Sequence, residues 1–345
     1  MSSSVEKSSA TPSPTISQNI VYGGIAWAVI SLLFFLLFSI TAPGQESPLW
    51  YLIGTYILEL LPFLAATVLC FRNWRSPTIA SGRNVWLGIG LGMAFFFLGG
   101  LIFGWWELYW QIDPDVSPAD FFYLLCYLFI GWGMVLAVLP RRLNLETKQW
   151  LIVAAIALVG TAFATWVLVS TPEASSKKAN NTTLPSATEQ AAPEVGSSQV
   201  TTSPTAPLLQ NSSSTEKTTA NSEEGNKNPP PSWVMSMQET LSPLSKPVNF
   251  FYIIGDVILL IIASTLLLAF WGGRFAQSWR MLAGATLCLY IADMWFKYAD
   301  TVAVVYQSGS LPEVFFVFSG VLFAIGAALE YDVSSRSRRS TRKRA

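Results

Sequence analysis

The chain contains no histidine, only three cysteines, and few charges: 12% of its 345 residues are Asp, Glu, Lys or Arg, against roughly 25% in a soluble domain. Without histidine it lacks the commonest metal and haem ligand, the usual general base and a histidine phospho-acceptor. Cys70, Cys126 and Cys288 all fall inside apolar runs, so neither a disulfide framework nor a cysteine metal site is expected. No nucleophile, base and metal cluster come together in sequence. The chain therefore reads as a non-enzyme with no cofactor and no metal, and nothing in it supports nucleic-acid binding.

Apolar runs are what it has in abundance, at 52% hydrophobic residues. Stretches long enough to cross a bilayer lie at about 20–42, 48–71, 84–106, 118–139, 150–170, 249–271, 279–299 and 313–331. The expected fold class is all-α: a polytopic membrane protein of eight transmembrane helices. Short cytoplasmic loops retain Lys and Arg. Arg72, Arg75 and Arg83 follow span two, Arg141, Arg142 and Lys148 span four, and Arg274 and Arg280 span six. The tail after span eight carries Arg336, Arg338, Arg339, Arg342, Lys343 and Arg344. Both termini are thus expected in the cytoplasm.

Between the spans, composition divides the chain. Residues 1–19 are Ser/Thr/Pro-rich and read as a disordered cytoplasmic tail, followed by membrane helices one to five over 20–170. Residues 171–248, dominated by Ser, Thr, Pro, Asn and Ala, cannot bury enough apolar area to offset the entropy of ordering. They read as a long disordered extracytoplasmic linker, in which only SWVMSMQETL, 232–241, could rest on the membrane surface as a short helix. Membrane helices six to eight occupy 249–332, and 333–345 is a basic cytoplasmic tail whose charge reads first as the ordinary positive-inside excess, with attraction to anionic lipid or an acidic partner as the alternative.

Placing Trp86 on Trp279 aligns 86–133 with 279–326 without a gap. Phe103 then falls on Phe296, Glu107 on Asp300, Ser117 on Ser310, Asp120 on Glu313 and Gly133 on Gly326, and a slightly different offset puts Glu59 on Asp256. Spans one to four and five to eight are expected to be a tandem parallel repeat of one four-helix unit. Ser117 and Asp120 form a Ser-x-x-acid box before span four, and Ser310 and Glu313 form another before span eight, the pattern of a helix cap.

WWELYWQIDPDVSPADFFYLLCYLFIGWGMVLAVLPRR and, later, QSGSLPEVFFVFSGVLFAIGAALEY resemble the multi-spanning sensor regions that precede diguanylate cyclase, phosphodiesterase or histidine kinase domains in bacteria. The resemblance covers about 50–142 and 250–332. It implies a bacterial inner-membrane location, with the thylakoid as the alternative for a cyanobacterial source, and a sensor-like or scaffolding protein. The chain ends in SSRSRRSTRKRA where an output domain would start, and holds no GGDEF, EAL or kinase sequence. It would then signal to a separate membrane or cytoplasmic partner, among membrane lipids, with a homo-oligomer left open.

Intramembrane charge needs an account, because a carboxylate at mid-bilayer costs about 2.5–3.5 kcal/mol on insertion scales. Glu59 falls mid-span. Asp293, Lys297 and Asp300 share one face of span seven, with Asp293 and Lys297 spaced to pair within the helix. The aligned Gly100, Gly104 and Glu107 form a GxxxG face for close helix approach. Glu59, Glu107, Asp256, Asp293, Lys297 and Asp300 are expected to line a polar cavity open to the outside. Two readings stay open for them: a buried network that orients helices, or a site in a transporter or channel for a cation or amine-bearing solute.

Overall fold

The computed structural model describes residues 16–40, 47–110, 116–139, 146–170, 230–270, 276–302 and 308–342. Among these the chain forms nine α-helices and no strand: α1 (Ile16–Phe38), α2 (Leu49–Arg75), α3 (Arg83–Trp110), α4 (Pro118–Val138), α5 (Thr147–Ser170), α6 (Ser232–Leu241), α7 (Ser245–Ala269), α8 (Ala276–Val302) and α9 (Val314–Arg342). Gly82 and Gly309, at φ of 102° and 105°, make the turns into α3 and into the α9 cap, where a side chain would be strained.

Among the described residues, seven helical stretches are long and apolar enough to cross a membrane. The eighth expected span, α8, meets the length and not the apolarity, because Arg280, Asp293, Lys297 and Asp300 all lie in its 27 residues. Two of them are met by neighbours: α8 packs between α7 and α9, and Asp293 and Lys297 reach Tyr127 of α4 and Asn249 of α7. The short helix expected at 232–241 forms as α6, with Val234 buried and Trp233 packed on Trp106 and Trp110 of α3 at centroid distances of 6.0 and 6.1 Å; the boundary of the expected linker at 248 moves, because the next helix begins at Ser245. Residues 171–229 and the tail before Ile16 lie outside the described residues. The basic end continues α9 as a helix to Arg342.

The packing partners close a ring. In order, α2 packs on α3, α3 on α4, α4 on α7, α7 on α8, α8 on α9, and α9 back on α2. Outside it, α1 packs on α9 and α5 on α7 and α8. Both outer helices turn large apolar residues outward, Leu33 and Leu37 on α1 and Leu158 and Val159 on α5 among them, as a helix facing lipid does.

One half of the ring, toward the C-terminal ends of α2, α4, α7 and α9, is solid. Phe63 stacks on Phe96 at 3.8 Å and Phe270 on Trp279 at 4.6 Å. Trp86, Ile89, Met93, Ile130, Met134 and Phe323 are buried with them. Polar ties onto α9 finish this half: Asn73 donates to the Ala327 carbonyl at 2.8 Å and Ser278 to that of Gly326 at 2.9 Å.

Lipid is as apolar as leucine, so helices in a bilayer associate through close packing and hydrogen bonds. At the α3–α4 crossing a Cβ on Gly88 would lie 2.7 Å from the Gly133 Cα, so backbone meets backbone. Gly88→Ala should therefore lower stability by about 1–3 kcal/mol, read as the melting midpoint of the purified protein in detergent. Gly23→Ala, on a glycine with nothing within 4 Å, should leave the midpoint unchanged.

Candidate functional site

The other half of the ring encloses a cavity of about 90 Å³ with residues of all six ring helices in its wall. The geometry follows from helix ends. Here α2, α4, α7 and α9 begin and α3 and α8 finish, so caps, turns and the polar first turns collect at one place.

Each cap box serves two ends. Asp120 accepts the Ser117 N–H at 2.7 Å through one oxygen and the Tyr252 hydroxyl of α7 at 2.8 Å through the other. Glu313 accepts the N–H groups of Gly309 at 2.7 Å and Ser310 at 3.1 Å, and the Ser310 hydroxyl at 2.6 Å. Both boxes form as the spacing predicts. Both acids also line the cavity, which their local pattern does not reveal.

Of the six expected cavity residues, Glu59, Asp293 and Lys297 line the wall. Glu107 borders it, accepting the Tyr56 hydroxyl and, at 3.1 Å, the Ser308 N–H; Tyr56 and Ser308 are themselves in the wall. Asp256 sits one layer back, 1% exposed, reached by the Tyr127 hydroxyl at 2.7 Å. The side chain of Asp300 lies outside the described residues.

The expected pairing of Asp293 with Lys297 is replaced by contacts to other helices. Asp293 Oδ2 lies 2.5 Å from the Tyr127 hydroxyl. Lys297 donates to Asn249 of α7 at 2.7 Å, with its ammonium 4.5 Å from the Tyr252 ring centroid. The i,i+4 spacing allows the helix pair, but Tyr127 and Asn249 approach from neighbouring helices with shorter side-chain reach. Gly100 and Gly104 do form a close-packing face, and its partner is α2: added Cβ atoms would meet Leu60 at 2.4 Å and Tyr56 at 2.9 Å.

Aromatic rings supply the rest of the wall. Phe103 and Phe296 meet edge to face across the ring at 6.2 Å, and Phe96 lies between Tyr123 at 5.2 Å and Phe316 at 5.8 Å. Tyr56, Tyr123, Tyr127 and Tyr252 were not among the residues expected from sequence. A signal exists for them: Tyr56 precedes Glu59 by three, Tyr123 precedes Tyr127 by four and Tyr252 precedes Asp256 by four, which puts each pair on one helical stripe.

Glu59 differs from the other acids. It lines the cavity, and among the described residues no donor reaches its carboxyl. No group of three or more Cys, Asp or Glu among the described residues is placed to hold a metal ion, so the acids face one space without converging on one point. Comparison with known protein families, curated proteins and solved structures finds no match for this chain.

The acids therefore divide into those that hold the fold and one that faces a void. Asp120→Ala strands the Tyr252 hydroxyl and the Ser117 N–H and should cost about 1–3 kcal/mol for each group left unpaired. Glu59→Gln removes an unpartnered carboxyl and should leave the melting midpoint equal or higher. Thermal unfolding of both variants in the same detergent checks the contrast; equal destabilisation would make Glu59 a structural residue.

Proposed function

We propose that this chain is a sensor-like integral membrane protein that binds a small organic cation of the primary-amine class in the ring cavity and relays its presence to a separate partner. One observation carries the reading: Glu59 lines an aromatic cavity with no donor of its own. A carboxyl in such a place needs a proton or a counter-charge, and rings around it favour a cation over their faces as the partner of the ionised form. At about 90 Å³ the space is well below the volume a drug-sized ligand needs, which points to a small amine such as methylammonium or ethylammonium.

The relay has a physical candidate. Glu313, in the cavity wall, caps α9, and α9 runs unbroken to Arg342, so one helix joins the site to the basic end where a partner of acidic character would dock. The packed half of the ring supports binding over passage, because Phe63, Trp86, Met93 and Ile130 fill the route a carrier would open. The ring order supports a repeat of three helices, with α2, α3 and α4 followed by α7, α8 and α9 in the same sequence and α4 on α7 matching α9 on α2; the outer helices depart from the expected four-helix unit, α1 lying on α9 and α5 on α7 and α8. With Arg72, Arg75, Arg83 and Arg280 at the packed end, the basic-loop rule turns the cavity outward and both termini into the cytoplasm.

Calorimetric titration of the purified full chain with methylammonium tests the site. Saturable binding is expected, weakened at least tenfold, about 1.4 kcal/mol, in Glu59→Gln. Absence of methylammonium and ethylammonium binding overturns the reading, and saturable binding of sodium alone would make this an inorganic-cation site.

A further inference from the structure

The cavity's back wall contains more acceptors than visible protons. The Tyr127 hydroxyl lies 2.7 Å from Asp256 Oδ1 and 2.5 Å from Asp293 Oδ2. It carries one proton, which can lie along one of these lines only. Two oxygens held at such a distance without a proton between them repel, so the second contact needs a proton from the carboxyl itself. Independently, Asp256 is 1% exposed, no other residue's N–H or O–H reaches its Oδ2, and its carboxyl lies within hydrogen-bond reach of that of Asp293, a contact that two ionised carboxylates would not hold and one proton between them would.

We propose that Asp256 and Asp293 hold one proton between them on the Tyr127 hydroxyl, and that a cation entering the cavity displaces it. The inference rests, for the exchange, on the cation reading above; the shared proton stands on the hydroxyl geometry alone. The groups facing the pair are Tyr123 and Cys126 from α4, Tyr252 from α7, Tyr290 and Lys297 from α8 and, across the cavity, Glu59 from α2. Of these only Lys297 brings positive charge. Two carboxyls, one proton and one ammonium balance one another at the back wall, while Glu59, Asp120 and Glu313 in the rest of the wall add only acidic groups. A second cation seated between Glu59 and Asp293, both in the wall, adds positive charge beside the pair, and the proton leaves to solvent. No other bond is made or broken.

Because the proton is released on binding, affinity rises with pH, by roughly tenfold per pH unit while the pair is fully occupied, for a probe that stays cationic throughout.

Two measurements on the purified full chain decide it. Infrared spectra at neutral pH without ligand should show the C=O stretch of a protonated carboxyl, shifted in deuterated water, lost in both Asp256→Asn and Asp293→Asn and retained in Glu59→Gln. If the Asn variants fail to fold, Tyr127→Phe, which removes the bridging oxygen at nearly constant volume, should shift the same band. Absence of the band, or its survival unchanged in these variants, overturns the shared proton. Methylammonium affinity should follow pH as above in the parent and lose that dependence in Asp256→Asn; a pH-independent affinity overturns the exchange. If methylammonium does not bind while the band behaves as expected, the cation reading and the exchange fall together and the proton site stands.

Discussion

Carboxyl groups set inside a ring of apolar helices must each find a donor, a counter-charge or a proton, because the surrounding hydrocarbon offers none of the three. Most of the half that holds the cavity is the solution to that constraint. Glu107 is met by Tyr56 from α2 and by the Ser308 amide, Asp120 by its own cap and by Tyr252 from α7, and Asp256 and Asp293 by Tyr127 from α4. The donors come from different helices, so each acid also ties two or three elements together. Site and scaffold are the same set of contacts.

The two halves of the ring consequently have opposite physics. Where the helices are joined by backbone contact and stacked rings, at Gly88 on Gly133 and Phe270 on Trp279, small rearrangements meet hard cores and are resisted. Where they are joined by tyrosine hydroxyls and a lysine around a cavity, partners can be exchanged at small cost in packing. A ligand in the cavity would act on the second kind of contact and be felt through the first, with α9 the element common to both. That arrangement suits a binding protein that changes shape modestly.

Charge balance within the cavity has the same logic. The cap acids are used up by amides, whose fixed dipoles cost nothing to orient. The Lys297 ammonium rests on the Tyr252 face and on Asn249, close enough to the aspartate pair to offset part of its charge and too far to form an ion pair in the helix. Glu59 is what remains over, mid-way along α2 with Leu60 and Phe63 packed beneath it.

Length and apolarity of the runs, the basic connections and the two Ser-x-x-acid boxes could be read directly from the residues, because each depends on neighbours within a turn or on composition. The caps formed for that reason. The short helix at 232–241 was legible as a pattern, and its place was not: Trp233 is held by Trp106 and Trp110, distant in sequence. The acids of the cavity could be listed from their cost alone, yet nothing local separates Glu59 from Glu107, since the difference lies in whether a tyrosine from another helix arrives. The i,i+4 spacing of Asp293 and Lys297 pointed to a pair, and partners from other helices stand in its place, Tyr127 donating to Asp293 and Asn249 accepting from Lys297. Ring order, with α4 against α7 and α9 against α2, joins segments far apart in the chain, and with so many Phe and Tyr residues in apolar helices the few that wall a cavity are identified only once those segments meet.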